Sequence, residues 1–313
     1  MSHPIVPYST DAAEKAAQIL SQGGLVAVPT ETVYGLAADA TDDHAVARIY
    51  EAKGRPSFNP LIIHVTGLEM AATYAEISPL AEKLAAAFWP GPLTMVLPVR
   101  ADSGLSKLVT AGLDTVAIRC PQSEPAQAIL AAFGRPFAAP SANPSGGLSP
   151  TSAAHVAAGL GAKVDMILDN GPSSVGVEST ILAVGETLSL LRPGSITIGQ
   201  IEKVTDQAVE IKEKSAEILA PGMMESHYAP NALLRLNAKT PASGEEFLGF
   251  GPISTPHALN LSPSGDLTEA AANLFAYLHR LDEAAEKIAV APIPETGLGI
   301  AINDRLRRAA APR

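Results

Sequence analysis

A chain of 313 residues with 47% hydrophobic side chains has room for two ordinary domains and the material for their cores, which excludes wholesale disorder. Its 32 acidic residues against 22 basic ones give a net charge of −10, the wrong sign for a protein whose main task is to coat nucleic acid. A single cysteine, Cys120, excludes an internal disulfide framework and any multi-cysteine zinc site, and suits a reducing, cytoplasmic setting.

The opening MSHPIVPYSTDAAEK has no basic segment followed by an apolar run, so it does not read as a signal peptide. Residues 11–22 read as a helix stopped by Gly23-Gly24, and 25–29 as a buried strand. A second helix is expected over 42–53, with Thr41 or Asp42 as cap and Gly54 as stop, and a strand over 61–65. Ser78 caps an expected helix over 78–88. The stretch AAAFWPGPLTMVLPV is too short for a bilayer and is broken by Pro90, Gly91 and Pro92, so no membrane span is expected. Strands follow over 93–99, 115–119 and 137–140, with helices over 124–133 and 151–160. Cys120 ends the apolar run TVAIRC and reads as a small core residue. Strands over 164–169, 179–184 and 188–193 lie close together, so part of the sheet should be antiparallel. The alternation predicts an α/β fold over residues 1–205, a mixed sheet with flanking helices. Beyond it, the charged, weakly apolar segment 206–231 reads as a connector. Residues 232–313 read as a smaller second unit whose clearest helix covers 274–287.

Familiar catalytic signatures are missing. The sequence has no Gly-Lys pair and so no Walker-type phosphate loop, and no GxSxG elbow. GLGIA near the C-terminus lacks the third glycine of a dinucleotide fingerprint. The seven histidines form no HxH or HExxH pairing, so no metal-ligating protein residues are assigned. Polar residues gather instead where predicted strands end: PTETVYGLAAD, KGRPSFNP, APSANPSGG, VEST and LRPGS. Lys53 and Arg55 stand one residue apart, stiffened by prolines. Such a pair suits a polyphosphate, or serves as a solvated turn whose charge favours a helix C-terminus. His64 lies among apolar neighbours, as a packed residue or a site residue. Arg119 closes a buried run and needs an anionic partner, from the core or from a ligand. The shared position of these groups, at strand ends of an α/β sheet, is where ligands usually bind.

Together these segments resemble the YrdC-like family of threonylcarbamoyl-AMP synthases in its longer, two-domain form. The likeness rests on PTETVYGL, Lys53 and Arg55 as KxR, Ser141 and Asn143 as SxN, GVEST, LRPG and PGMMESHYAP, and extends through AINDRLRRAA. It implies a YrdC-like twisted mixed sheet, with a reduced α/β module after it. It also implies a reaction in which L-threonine, bicarbonate and ATP give threonylcarbamoyl-AMP and pyrophosphate. A separate transferase complex then places the threonylcarbamoyl group on tRNA, and direct tRNA contact is secondary.

Carried over by position, Lys53, Arg55, Ser141 and Asn143 would hold the triphosphate with Mg²⁺, and Asn59, Thr115, Ser149 and Arg192 would lie near the nucleotide. Thr32, His64, Arg119, Ala139 and Ser179 would surround threonine, with Arg119 on its carboxylate. Tyr228 would belong to a connector that folds over the nucleotide. The connector departs from the family pattern at Met224, Glu225 and Ser226, which brings a carboxylate close to that lid. Three other readings compete. A hydrogenase-maturation carbamoyltransferase would carry many cysteines, an RNA-binding module would be basic, and a regulatory protein with a dead site would not keep both KxR and SxN.

Overall fold

The computed structural model describes residues 5–211, 227–255 and 259–312. Strand β1 (Ile5–Pro7) leads through helix α1 (Thr10–Ser21) to the antiparallel pair β2 (Val26–Val28) and β3 (Gly35–Asp39). Helix α2 (Asp43–Lys53) precedes β4 (Ile62–His64), and α3 (Leu68–Tyr74) with α4 (Pro79–Phe88) precedes β5 (Leu93–Pro98). Next come α5 (Lys107–Thr110), β6 (Thr115–Arg119), α6 (Glu124–Phe133), β7 (Phe137–Ala138) and α7 (Ala153–Gly159). Strands β8 (Met166–Asp169), β9 (Thr180–Val184) and β10 (Leu188–Arg192), helix α8 (Ile198–Thr205) and β11 (Val209–Ile211) follow. The last stretch holds β12 (Leu233–Arg235), β13 (Glu246–Gly249), β14 (Leu259–Asn260), α9 (Leu267–Ala284), β15 (Lys287–Val290) and α10 (Gly299–Ala309).

Eleven strands form one mixed sheet in the order β1-β8-β2-β3-β7-β4-β6-β5-β9-β10-β11. The close-set strands are antiparallel where they pair as β5–β6 and β9–β10. Four parallel strands, β12-β15-β13-β14, form a second, smaller sheet. Helices start on their own side-chain caps: Ser9, Asp42, Ser78, Ser123 and Asp266 each accept from a backbone N–H of the first turn. Apolar side chains fill a core around α2, α4 and β4–β6, and another around α1 and α6. Cys120 lies in the first, where burial pushes its thiol up to about 11.

Several expectations shift. The helix expected over 274–287 starts at Leu267, because Asp266 caps TEAAAN, a run of good helix formers with little hydrophobic signal. The strand expected over 137–140 is only Phe137–Ala138, since Pro140 has no N–H to give a ladder. The large sheet runs on to Ile211, past the expected edge at 205, because Val209 pairs with Leu188 and extends the apolar core. Met224, Glu225 and Ser226 lie outside the described residues. Among those described, no helix is long and apolar enough to cross a membrane.

The two sheets meet along an apolar and ionic seam. Val33, Leu148 and Val177, from loops of the large sheet, share a core with Leu274, Phe275 and Leu306. Gly176 sits at φ +76°, where a Cβ would lie 2.3 Å from the Ala271 carbonyl oxygen on α9. The residue must therefore be glycine for this loop to press on the helix backbone.

Candidate active site

Strand register collects the polar residues at one level of the large sheet. His64 on β4 lies opposite Arg119 on the parallel β6, and Arg119 lies opposite Thr94 on the antiparallel β5. The Thr94 hydroxyl is 2.7 Å from the Ser179 hydroxyl, just before β9. Arg192, at the end of β10, donates from Nε to the Ser179 carbonyl and from Nη2 to the Ser179 hydroxyl, both at 3.1 Å. That approach needs Gly194, where a Cβ would lie 2.3 Å from the Thr180 nitrogen. A bridge between Gly35 and Ser141 brings the SxN loop to the same place.

The result is one cavity of about 50 Å³. Thr32, His64, Arg119, Ala139 and Ser179 line it. Arg55, Ser141, Arg192 and Tyr228 line it as well. Five expected site residues do not reach this cavity. Thr115 starts β6, at the end away from Arg119, about 13 Å along the strand. Asn59 supplies its carbonyl to Arg55 Nε at 3.2 Å. Asn143 and Ser149 lie behind the wall, and Lys53 is drawn back into the loop it anchors. Glu178 and His227, which the sequence reading did not assign, do line the cavity.

The cations are held in two ways. Lys53 Nζ donates to the carbonyls of Ser141 and Asn143, each at 2.5 Å. Arg55 Nη2 donates to the Pro60 carbonyl at 2.9 Å. Both side chains are buried, and neither of these partners is a carboxylate. Burial, with Arg55 next to it, pulls Lys53 well below its ordinary value, and burial lowers Arg55 to about 10. By contrast, Arg119 is ion-paired to Glu31 at 2.6 Å and donates to the Thr32 hydroxyl at 2.8 Å. The core carboxylate is thus the anionic partner that a buried arginine needed.

His64 stacks on Phe137 with ring centroids 5.3 Å apart, and its Nδ1 has no hydrogen-bond partner among the described residues. Burial and then the Arg119 charge lower it to about 3, so it is a neutral imidazole at the cavity wall. It is both packed and placed at the site. His227 is held well below its ordinary value by burial and the surrounding cations. Its ring meets Tyr228 edge-on at 4.0 Å, and Tyr228 has φ +61°, a conformation uncommon outside glycine. Both rings line the cavity, which is far smaller than the usual nucleotide pocket of roughly 300 Å³ or more.

Asn143 donates from Nδ2 to Pro144 and Gly147 carbonyls at 2.8 and 2.9 Å, and its buried Oδ1 has no partner among the described residues. A buried, unmatched amide oxygen is the kind of hard donor a Mg²⁺ shell accepts. Among the described residues, no cluster of three or more His, Cys, Asp or Glu could hold a metal by itself.

Comparison with known proteins matches two family models to successive parts of the chain. A Sua5–YciO–YrdC family model, described as "Telomere recombination", matches residues 18–194. A second, described as "Threonylcarbamoyl-AMP synthase, C-terminal domain", matches residues 196–311. A Pyrococcus abyssi protein named threonylcarbamoyl-AMP synthase is 42% identical, covering 95% of this chain and 94% of its own length. One of that name from Bacillus subtilis is 40% identical, with 96% and 93% covered. Among solved structures, P. abyssi Sua5 complexed with L-threonine superposes with a TM-score of 0.90 at 39% identity, covering 98% of this chain and 97% of that one.

Proposed function

The chain belongs to the Sua5–YciO–YrdC family, and from that premise we propose how its site works. It is a nucleotidyltransferase that turns L-threonine, bicarbonate and ATP into threonylcarbamoyl-AMP and pyrophosphate, the first step of tRNA threonylcarbamoyladenosine modification. The observation that carries this reading is the single cavity that Arg119, His64 and Ser179 line together with Arg55 and Arg192. An amino acid and a polyphosphate need two such neighbouring groups of partners.

The threonine amine adds to bicarbonate with loss of water, giving a carbamate. A carbamate oxygen then attacks the α-phosphorus, and pyrophosphate leaves. No covalent enzyme nucleophile is required, and Cys120, a buried thiol, offers none. The protein's work is orientation and charge stabilisation. Arg119, steadied by Glu31, takes the threonine carboxylate, while Thr32, Ala139 and Ser179 shape the pocket and neutral His64 accepts a hydrogen bond. Arg55, Lys53, Ser141 and Asn143 hold the triphosphate, with Arg192, Asn59, Thr115 and Ser149 around the nucleotide. When bound, Mg²⁺ neutralises phosphate charge, and Asn143 Oδ1 is its proposed protein ligand. Tyr228 acts as a lid residue that yields to ATP and then excludes water from the mixed anhydride. The product passes to a separate tRNA-modifying transferase complex, and tRNA contact by this chain is secondary.

Pyrophosphate release from ATP, with threonine and bicarbonate added singly and together, tests the reaction. Threonylcarbamoyl-AMP identified by mass spectrometry only when all three are present is the expected result. Folded protein that binds ATP and forms no adenylate would point instead to a regulatory role.

A further inference from the structure

The large sheet does not finish its own site. Glu178 lines the cavity, and a bare carboxylate there would repel phosphate oxygens. Its partner comes from the far end of the chain. Arg305, on α10, has a fully buried side chain whose Nε lies 2.9 Å from Glu178 Oε2. Arg305 Nη1 also donates to the Pro193 carbonyl at 2.6 Å, and Nη2 to the Glu178 carbonyl at 3.4 Å. Its guanidinium carbon sits 5.4 Å from the centroid of the Tyr228 ring. The other Glu178 oxygen, Oε1, accepts the Ser149 hydroxyl in a short hydrogen bond.

On this geometry, and on the functional reading above, we propose that Arg305 is a positioning residue for adenylate formation. It cancels the charge of Glu178, fixes that carboxylate's orientation, and through it sets Ser149 and Tyr228 for the triphosphate. Arg305 does not line the cavity, so it acts through Glu178 and not on substrate. A planar fork with its donors spread over the carboxylate, the Pro193 carbonyl and the Glu178 carbonyl holds one orientation, which a lysine's point charge cannot do. The other charge acting on Glu178 is Arg192, and Asp304, beside Arg305 on α10, lies 3.1 Å from Arg305 Nη1. The small sheet's unit thus supplies part of the nucleotide site.

The test compares full-length wild type with Arg305→Met, Arg305→Lys, Glu178→Gln and the Arg305→Met/Glu178→Gln double variant, measuring the KM for ATP and for threonine separately. Arg305→Met should raise the KM for ATP by about tenfold or more and leave that for threonine within about twofold. Arg305→Lys, with charge but no fork, should fall between. The double variant should recover most of the loss, since it removes the unpaired charge. Equal rises in both KM values, unchanged kinetics in a folded Arg305→Met protein, or a double variant no better than Arg305→Met would each overturn the proposal. If Arg305→Met does not fold, the ATP-to-threonine ratio in Arg305→Lys decides in the same way. Wild type without product in these tubes would break the functional reading, whereas active wild type with indifferent Arg305 variants breaks only this inference.

Discussion

The KxR–SxN corner and the seam between the sheets solve the same problem in opposite ways. Both bury cations beside the cavity. At the corner, Lys53 and Arg55 rest on carbonyl oxygens, which steady a cation without cancelling its charge. At the seam, Arg305 meets Glu178, and burial of its guanidinium is outweighed by the anions facing it, so its proton is held more tightly than usual. Carbonyl-held cations are uncompensated, which costs stability and leaves charge for a polyanion. A carboxylate-held cation such as Arg305 is largely compensated and organises the wall. Arg119, paired with Glu31, stands between the two, so partner type separates the cations proposed for the polyphosphate from those with a carboxylate of their own.

That distinction can be broken most sharply at the corner. Lys53→Ala and Arg55→Ala should each lower adenylate formation by about a hundredfold or more while thermal melting stays close to wild type. An unaltered rate in either variant would end its assignment. Tyr228→Ala, at the seam, should show a smaller effect, about tenfold in ATP retention or in escape of the anhydride, read by trapping released threonylcarbamoyl-AMP. A change confined to threonine binding would contradict the lid role.

The smallest effect concerns pH. His155 on α7 stacks on His279 on α9 at 4.0 Å, linking the two sheets' units. Burial and then His279 lower His155 to about 4. The unfolded chain, with an ordinary value near 6.5, therefore binds more protons between those limits, and stability falls as pH drops through them. His155→Phe should remove about 0.5 kcal/mol per pH unit of that slope, allowing for solvent screening. Denaturant midpoints at pH 7 and pH 5 measure it, and an unchanged difference between them would deny the stack a role in acid sensitivity.

The strands and helices visible in the sequence were those with long apolar runs or a clear cap, such as β5, β6, α2 and α6. β3 was not, since GLAAD is small residues after a polar stretch and becomes a strand only through β2 and β7 on either side. The same limit applies to the site. Arg119 and Ser179 stood at strand ends, where position hinted at use. Glu178 sits beside Ser179 in the quoted VEST, yet its meaning depends on Arg305, 127 residues away. His227 adjoins Tyr228, and its place among four cations is equally a product of packing. Thr115 opens β6 at the end away from Arg119, a separation that no local motif announces. Local pattern reports an element's type, and cannot report which distant side chain will face it.

The order of strands has a consequence for biosynthesis. β1 pairs with β8, Ile5 beside Ile167, and β2 also borders β8. A ribosome adding roughly 5–20 residues per second leaves β1 waiting on the order of ten seconds or more for its partner. During that time the nascent segment must stay unpaired without seeking another edge. Pro7, at the end of β1, lacks the N–H that continued pairing would need. This edge of the sheet can therefore close only after β8 has been made.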